Sequence, residues 1–447
     1  MSEAKRARFK QWLESGEARL RLLTFSQREL WEASSAPVED VSNHICCIIN
    51  VRGQISPEDC VASFQRVVNR QEVLRLSVLP GKDGPVQLIR TRSEPVMQFR
   101  DLAKQTRPEE IEELALRTFY KPFDLIQGPL YRVEVLRRAP DDQVMVFAIH
   151  HAIADGWTLG VFVQDLCAAY AQHRSGSPNE LAPVPMSYSA WGATERAYWQ
   201  PAKLEQRLLF WKSQLAGVRR LWSKPDQFNI VFVPCRSVIH LPAEICAAVR
   251  ELARRNGATL FSTLLAAFQV TLSRWTGGDD IIVGTPVANR TRQEVRETMG
   301  YFSGLVPLRG QVERERPFSE HLRIVHQTTV DSFANAMPFA ELVRALGDRP
   351  TPRRNPVFEV RFALQNHPIP DVEISGLSLK LRMRSTGTSR FDLGCEITEQ
   401  GDTLEVVWLF RQSLFSQPEI EELNRLFRRV LESVCCLPER RTAALTT

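Results

Sequence analysis

Short apolar runs alternating with stretches of helical periodicity set the architecture open to this chain. His44 to Val51 reads as a strand and Pro57 to Asn69 as a helix. Val73 to Leu79 and Val86 to Ile89 read as strands, and Glu109 to Phe119 as a helix. Two strongly apolar strands follow, Leu130 to Leu136 and Val144 to His150, and then an amphipathic helix from Trp157 to Gln172. The order β-α-β-β-α-β-β-α predicts an α/β sandwich (an α+β arrangement) rather than a doubly wound sheet. The second half continues in the same style. Helices are predicted at Lys203–Leu215, Ala243–Arg254, Thr259–Trp275, Ser319–Phe333 and Pro418–Leu431, with strands at Ile281–Val287, Leu305–Val312, Val357–Leu364, Phe391–Thr398 and Leu404–Phe410. There is no close internal repeat.

At 447 residues and 43% apolar content, the chain is too long for one compact core and suits two domains. The Pro/Ser/Gly-rich segment Arg174 to Pro185 is the expected boundary. That gives a basic N-terminal segment over 1–22, a first lobe over 23–178 and a second over 179–447. Residues 1–22 suggest a basic amphipathic helix with Phe9, Trp12 and Leu13 near one face. The residues from Arg440 to Thr447 suggest a polar tail.

The bulk numbers exclude several classes. Lys and Arg number 57 against 52 Asp and Glu, a net charge of +5, which does not argue for wholesale nucleic-acid binding but leaves room for local basic patches that meet phosphate groups. Nine cysteines include no CxxC pair, so neither a disulfide framework nor a zinc site is expected, and a cytoplasmic, reducing setting fits. No apolar run reaches the ~20 residues needed to span a bilayer. The N-terminus lacks the apolar core of a signal peptide. GxSxG, Walker and GxGxxG patterns are absent, which leaves serine hydrolase, nucleotide and dinucleotide readings without support.

The segment that carries chemistry is Val146–Gly160, VFAIHHAIADGWTLG. A buried strand ends in His150 and His151, and Asp155 and Gly156 follow. Successive strand residues face opposite sides, so the two histidines cannot both ligate one metal from a regular strand. One should point into structure and the other into a cleft. Gly156 permits a tight turn into the following helix. Two of the chain's eight histidines stand side by side here, at the end of an apolar strand. No third ligand of HExxH or CxxC type lies nearby, so no metal is expected.

HHAIADG resembles the HHxxxDG motif of nonribosomal peptide synthetase condensation domains and their relatives in the chloramphenicol acetyltransferase-like superfamily. Other segments agree in order. LTFSQRELW (Leu23–Trp31) resembles the family's LTxxQxxLW, and RQEVLR (Arg70–Arg75) resembles RHExLR with Gln71 in place of His. VGTPVANR (Val283–Arg290), MGYFSGLVPLR (Met299–Arg309), NPVFEVRFALQN (Asn355–Asn366) and RFDLG (Arg390–Gly394) resemble the later signatures. The resemblance runs from about residue 20 to 437.

The resemblance implies two acetyltransferase-like lobes in a V-shaped pseudo-dimer, with an active site where they meet and a tunnel that admits two phosphopantetheine arms. It implies that His151 is the catalytic residue, that Asp155 forms a structural salt bridge to Arg290, and that His150 and Gly156 shape the loop. No covalently bound cofactor is implied. The substrates ride on coenzyme A or on the phosphopantetheine of a carrier protein, and the partner is a downstream peptidyl carrier protein. The chain would act as a monomeric part of a larger synthetase.

Two departures bear on substrate preference. Where the family commonly reads GFFVNTLPLR, this chain has Ser303 for Val and Gly304 for Asn. Ala148, Trp157, Ser303 and Gly304 are the candidates for the tunnel wall, although core packing is the favoured account of a small residue at 148. An epimerization domain typically follows the motif with VSW, where this chain has Trp157-Thr158-Leu159. A heterocyclization domain would carry DxxxxD in place of HHxxxDG. A free-standing acetyltransferase would be about half this length, and a recruitment module of the same fold tends to lose the motif histidines. Only about 20 residues precede the first motif, with no carrier domain among them. The expectation is therefore a starter domain that takes a fatty acyl group from coenzyme A. The alternative is an elongation domain whose donor arrives on an upstream carrier.

Overall fold

The structure is a computed structural model that describes residues 3–33, 41–82, 84–177, 180–222, 236–347, 355–365, 371–374, 376–384 and 391–445. Two compact units emerge. One comprises Met1–Gln200, Ala288–Ser303 and His367–Thr386, and the other Pro201–Val287, Gly304–Asn366 and Gly387–Thr447. The break expected at residues 178 and 179 lies outside the described residues, and the units do not part there. The reason is long-range pairing. The strand Leu377–Arg384 joins His44–Arg52 antiparallel, and Glu195 on the helix Tyr188–Tyr198 accepts from Phe25 N at 3.1 Å.

The first unit is built on a six-stranded sheet. Its order is Val372–Ile374, Leu377–Arg384, His44–Arg52, Asp142–His150, Tyr131–Ala139 and Met97–Asp101. The last pair is parallel and the rest antiparallel, a mixed sheet that fits the expected α/β sandwich. The central strands are apolar and β-branched because both of their faces are covered. Phe147 stacks on Phe162 of the helix Gly156–Arg174, with ring centroids 4.3 Å apart. The helix Pro57–Arg70 shares that face. It starts at a capping box between Ser56 and Asp59, has Pro57 in its first turn, and buries Phe64, Val67 and Val68. The opposite face meets the helix Pro108–Phe119, where His44 Nδ1 lies 2.8 Å from Phe119 O.

A second sheet of this unit orders Ala18–Leu22, Val86–Arg90 and Leu76–Leu79. It corrects two sequence readings. The N-terminal helix covers Glu3–Glu14 only, because Gly16 takes a φ of 76° and the alternating ARLRL that follows pairs with Val86–Arg90. The strand predicted from Val73 begins at Leu76, because Glu72–Arg75 form a 3-10 turn whose Arg75 guanidinium donates to four backbone carbonyls.

The second unit carries its own six-stranded sheet, ordered Gly304–Gln311, Asp280–Val287, Val360–Gln365, Leu393–Gln400, Thr403–Phe410 and Arg236–Leu241. Helices Ala243–Arg255, Leu260–Thr276, Phe318–Ala334 and Gln417–Cys436 pack with it around Phe268, Trp408 and Phe427. The residues after Arg440 are not a polar tail. Thr442 is buried and donates from Oγ1 to Glu313 O at 2.7 Å, and Leu445 is also buried. Among the described residues, no helix is long and apolar enough to cross a membrane.

Candidate active site

The strand Asp142–His150 delivers both histidines to one end of the first unit's sheet. His150 closes the strand opposite His44 and is buried. Its Nδ1 accepts from Ala152 N at 3.0 Å, which caps the 3-10 turn His151–Ile153. His150 is thus spent on shaping the turn. His151 opens that turn and is half-buried, with Nδ1 3.1 Å from Ala154 O. A carbonyl oxygen only accepts, so Nδ1 carries the proton of the neutral ring and the lone pair resides on Nε2. The Tyr301 ring meets the imidazole edge-on, with centroids 5.4 Å apart.

Asp155 caps the helix Gly156–Arg174 through a capping box with Thr158. Its carboxylate is buried and fully engaged. Oδ1 accepts from Thr158 N at 3.0 Å and from Arg290 Nη2 at 3.1 Å, and Oδ2 accepts from Phe302 N at 3.1 Å. Arg290 is equally buried and donates from Nη1 to Val295 O at 2.7 Å and Thr298 O at 2.6 Å. Its guanidinium lies 3.9 Å from the Phe302 ring centroid, a cation–π contact. Burial pulls the Arg290 pKa below its ordinary value, against the opposite pull of Asp155. The pair joins the start of the helix to the segment 288–303, and its ligands are backbone and structural groups.

That segment is held at further points. Asn289 takes a φ of 51° and donates from Nδ2 to Phe302 O at 3.0 Å. Thr158 Oγ1 lies 2.9 Å from Gly300 O and accepts from Gly300 N at 3.2 Å. Gly300 has a φ of 157°, and a Cβ there would come within 2.3 Å of the Tyr188 ring. Gln71, which stands where the family has His, donates to Asp165 Oδ2 at 2.7 Å and Glu297 O at 2.9 Å and accepts from Met299 N at 2.9 Å. An amide satisfies three partners here, more than one neutral imidazole can.

The structure therefore brings Ala148, His150, His151, Asp155, Gly156, Trp157, Arg290 and Ser303 into one unit and leaves Gly304 in the other. Ala148 is fully buried on the sheet face that also carries His150, between Cys46 and Arg132 on the neighbouring strands. That is a core-packing environment. Trp157 is 37% exposed and donates from Nε1 to Arg296 O at 2.9 Å. Gly156 is the first residue of its helix. Ser303 ends the returning segment of the first unit, whereas Gly304 opens a strand of the second, opposite Val287. Asn366 and Arg390, from the two last motifs, lie outside the described residues. Sequence reasoning gave no role to Thr158, Tyr188 or Tyr301. For Thr158 a signal existed, since the spacing Asp155-x-x-Thr158 is that of a capping box.

The strand end thus places His151 beside the helix start that the buried Asp155–Arg290 pair ties to segment 288–303, and among the described residues no group of His, Cys, Asp and Glu could hold a metal ion. Solved structures share the fold. The X-domain of teicoplanin biosynthesis, solved in complex with OxyB, superposes with a TM-score of 0.83 at 22% identity over 95% of each chain. The starter condensation domain of rhizomide synthetase, solved with C8-CoA, superposes with a TM-score of 0.78 at 21% identity over 95% of this chain and 96% of that one. Residues 18–447 match the family model described as Condensation domain, and the chain belongs to this condensation-domain family of nonribosomal peptide synthetases. A linear gramicidin synthase polypeptide of Brevibacillus parabrevis is 32% identical over 433 residues, 95% of this chain and 8% of that protein. The chain thus spans under a tenth of the length of that relative. Condensation domains form amide bonds by acyl transfer and act on substrates held on phosphopantetheine, with carrier proteins as partners.

Proposed function

We propose that this chain joins an acyl thioester to the amine of an aminoacyl group on a carrier protein, with His151 as the reacting imidazole. The observation that carries this reading is the bond from His151 Nδ1 to Ala154 O, which leaves the lone pair on Nε2. A thioester is already activated, and an α-amine has a reference pKa of about 7.7–8.0, so the demand on catalysis is moderate. Positioning the two reactants supplies much of the acceleration. The His151 lone pair accepts the amine proton or holds the amine by a hydrogen bond. Asp155 and Arg290 are structural members of the site, and His150 sets the turn.

The donor is the finer part of the proposal. A fatty acyl-coenzyme A donor is supported by likeness in fold to a starter domain solved with C8-CoA. A peptidyl group on an upstream carrier is supported by identity to a linear gramicidin synthase polypeptide. The cytoplasmic setting belongs to the same reading, supported by described cysteines that are all unpaired thiols; Cys235 lies outside the described residues. The test is to offer the purified protein octanoyl-coenzyme A in one arm and an octanoyl-loaded carrier in the other, each with an aminoacyl-loaded carrier. Mass spectrometry reads the acyl-aminoacyl carrier. Product in the first arm supports the starter assignment, product in the second alone supports elongation, and product in neither contradicts amide formation from these donors.

A further inference from the structure

The chain's opening motif lies beneath the His151 turn, and its hydrogen bonds have a fixed direction. Gln27 is buried, donates from Nε2 to Ala152 O at 2.8 Å and accepts at Oε1 from Thr24 N at 3.2 Å. The Thr24 contact orients the amide, since the oxygen end faces an N–H and the NH2 end must then face the carbonyl. Thr24 Oγ1 accepts from Gln27 N at 3.2 Å and lies 2.9 Å from Tyr188 Oη. Tyr188 Oη lies 2.8 Å from Tyr301 O, a group that only accepts. The phenol's single proton therefore goes to Tyr301, and the Thr24 hydroxyl donates to Tyr188. Tyr188 is fully enclosed, and burial holds its phenol well above the ordinary range, so it remains a donor.

We propose that Thr24, Gln27 and Tyr188 form a buried brace that sets the His151 imidazole from two sides. Gln27 acts through the carbonyl of Ala152, the next residue of the turn that bears His151. Tyr188 acts through the backbone of Tyr301, whose ring packs against the imidazole. The three are positioning residues, since they act through the turn and the loop rather than on a reacting atom. The proposal rests on His151 being the reacting group. It explains why a motif over a hundred residues earlier in the chain is tied to the histidine turn: it supplies the donor for a carbonyl that the tight turn leaves over.

Gln27→Glu is the discriminating variant. A carboxylate at this place cannot donate to Ala152 O, whereas a protonated carboxyl can. In the amide-forming assay with octanoyl-coenzyme A or octanoyl-loaded carrier, whichever the parent uses, kcat of Gln27→Glu falls about tenfold or more relative to parent at neutral pH with KM little changed. A sub-ångström to 1 Å displacement is enough for such a loss. The ratio to parent recovers as pH falls through the carboxyl's titration, while Gln27→Ala stays low throughout. The imidazole nitrogen NMR signals of His151, assigned by their loss in His151→Ala, give a substrate-free readout. The neutral ring is Nδ1-protonated in the parent and shifts toward the Nε2-protonated form in Gln27→Ala and Tyr188→Phe. A ratio flat with pH, or variants that keep the parent's tautomer and kcat, overturns the brace. If the parent makes no amide, the functional reading fails and the imidazole spectrum alone decides the brace.

Discussion

Removing the carboxylate of Asp155 isolates the buried charge of Arg290, and the cost can be worked from the contacts. The guanidinium, 2% exposed, keeps its bonds to Val295 and Thr298 but has no anion beside it. Breaking a buried pair in this way costs about 3–5 kcal/mol. Loss of the helix cap to Thr158 adds about 1 kcal/mol. In a unit of roughly 150–250 residues each kcal/mol shifts melting by about 2–4 °C, so Asp155→Ala should melt about 8–24 °C below the parent. Arg290→Ala strands the carboxylate instead, but Thr158 N and Phe302 N still serve it, and the loss should sit at the lower end. The double variant leaves neither charge, so its loss should fall short of the sum of the singles by a few kcal/mol, roughly at or beyond the upper end usual for contacting residues. Scanning calorimetry of the four proteins measures each term. Variants as stable as the parent but inactive would show that the pair acts in the chemistry rather than in the fold.

Glu195 gives a pH-dependent counterpart. It is buried on the helix Tyr188–Tyr198, and desolvation pushes its carboxyl up to about 7. The folded state therefore holds this proton more tightly than the unfolded chain. Its stabilising contribution is complete below the ordinary carboxylate pKa and is lost as pH rises toward about 7. Melting temperatures across that window should fall with pH in the parent and fall less in Glu195→Gln; identical slopes would contradict the assignment. Gly300→Ala should destabilise the protein and lower activity together, because its Cβ would lie 2.3 Å from the Tyr188 ring and the φ of 157° is strained for alanine. A stable, active Gly300→Ala protein would show that the segment 288–303 is looser than its bonds to Thr158 imply.

The local elements were legible where periodicity and caps were strong. The strands around His44–Arg52 and Asp142–His150 and the helix from Pro57 carry continuous apolar runs and a capping box. Pairings between distant segments were not legible. LSLKLRMR, Leu377–Arg384, alternates as a strand should, but nothing local says that it pairs with His44–Arg52 in the first unit. Composition likewise marks a turn-rich segment at Arg174–Pro185 but not the partners that later stretches will find. The N-terminal segment misled because Phe9 and Trp12 give helical spacing while the strand after Gly16 is defined only by its partner Val86–Arg90. At the site, the motif pointed to His151 and to the pairing of Asp155 with Arg290. The roles of Gln27, Tyr188 and Tyr301 depend on bonds across more than a hundred residues and become visible only in three dimensions.

The central claim is that His151 is the group on which amide formation depends. The most direct measurement is a single-turnover reaction of the parent and His151→Ala with a thioester donor that the parent accepts and an aminoacyl-loaded carrier, followed by intact mass, with melting temperature recorded on the same samples. His151 is half-buried and stands outside the buried charge pair of Asp155 and Arg290, so the variant should stay folded. Its amide-forming rate should fall by about 10²–10⁴-fold, the range for loss of a positioned acid–base group. A folded His151→Ala protein that forms the acyl-aminoacyl carrier at the parent's rate would contradict the account.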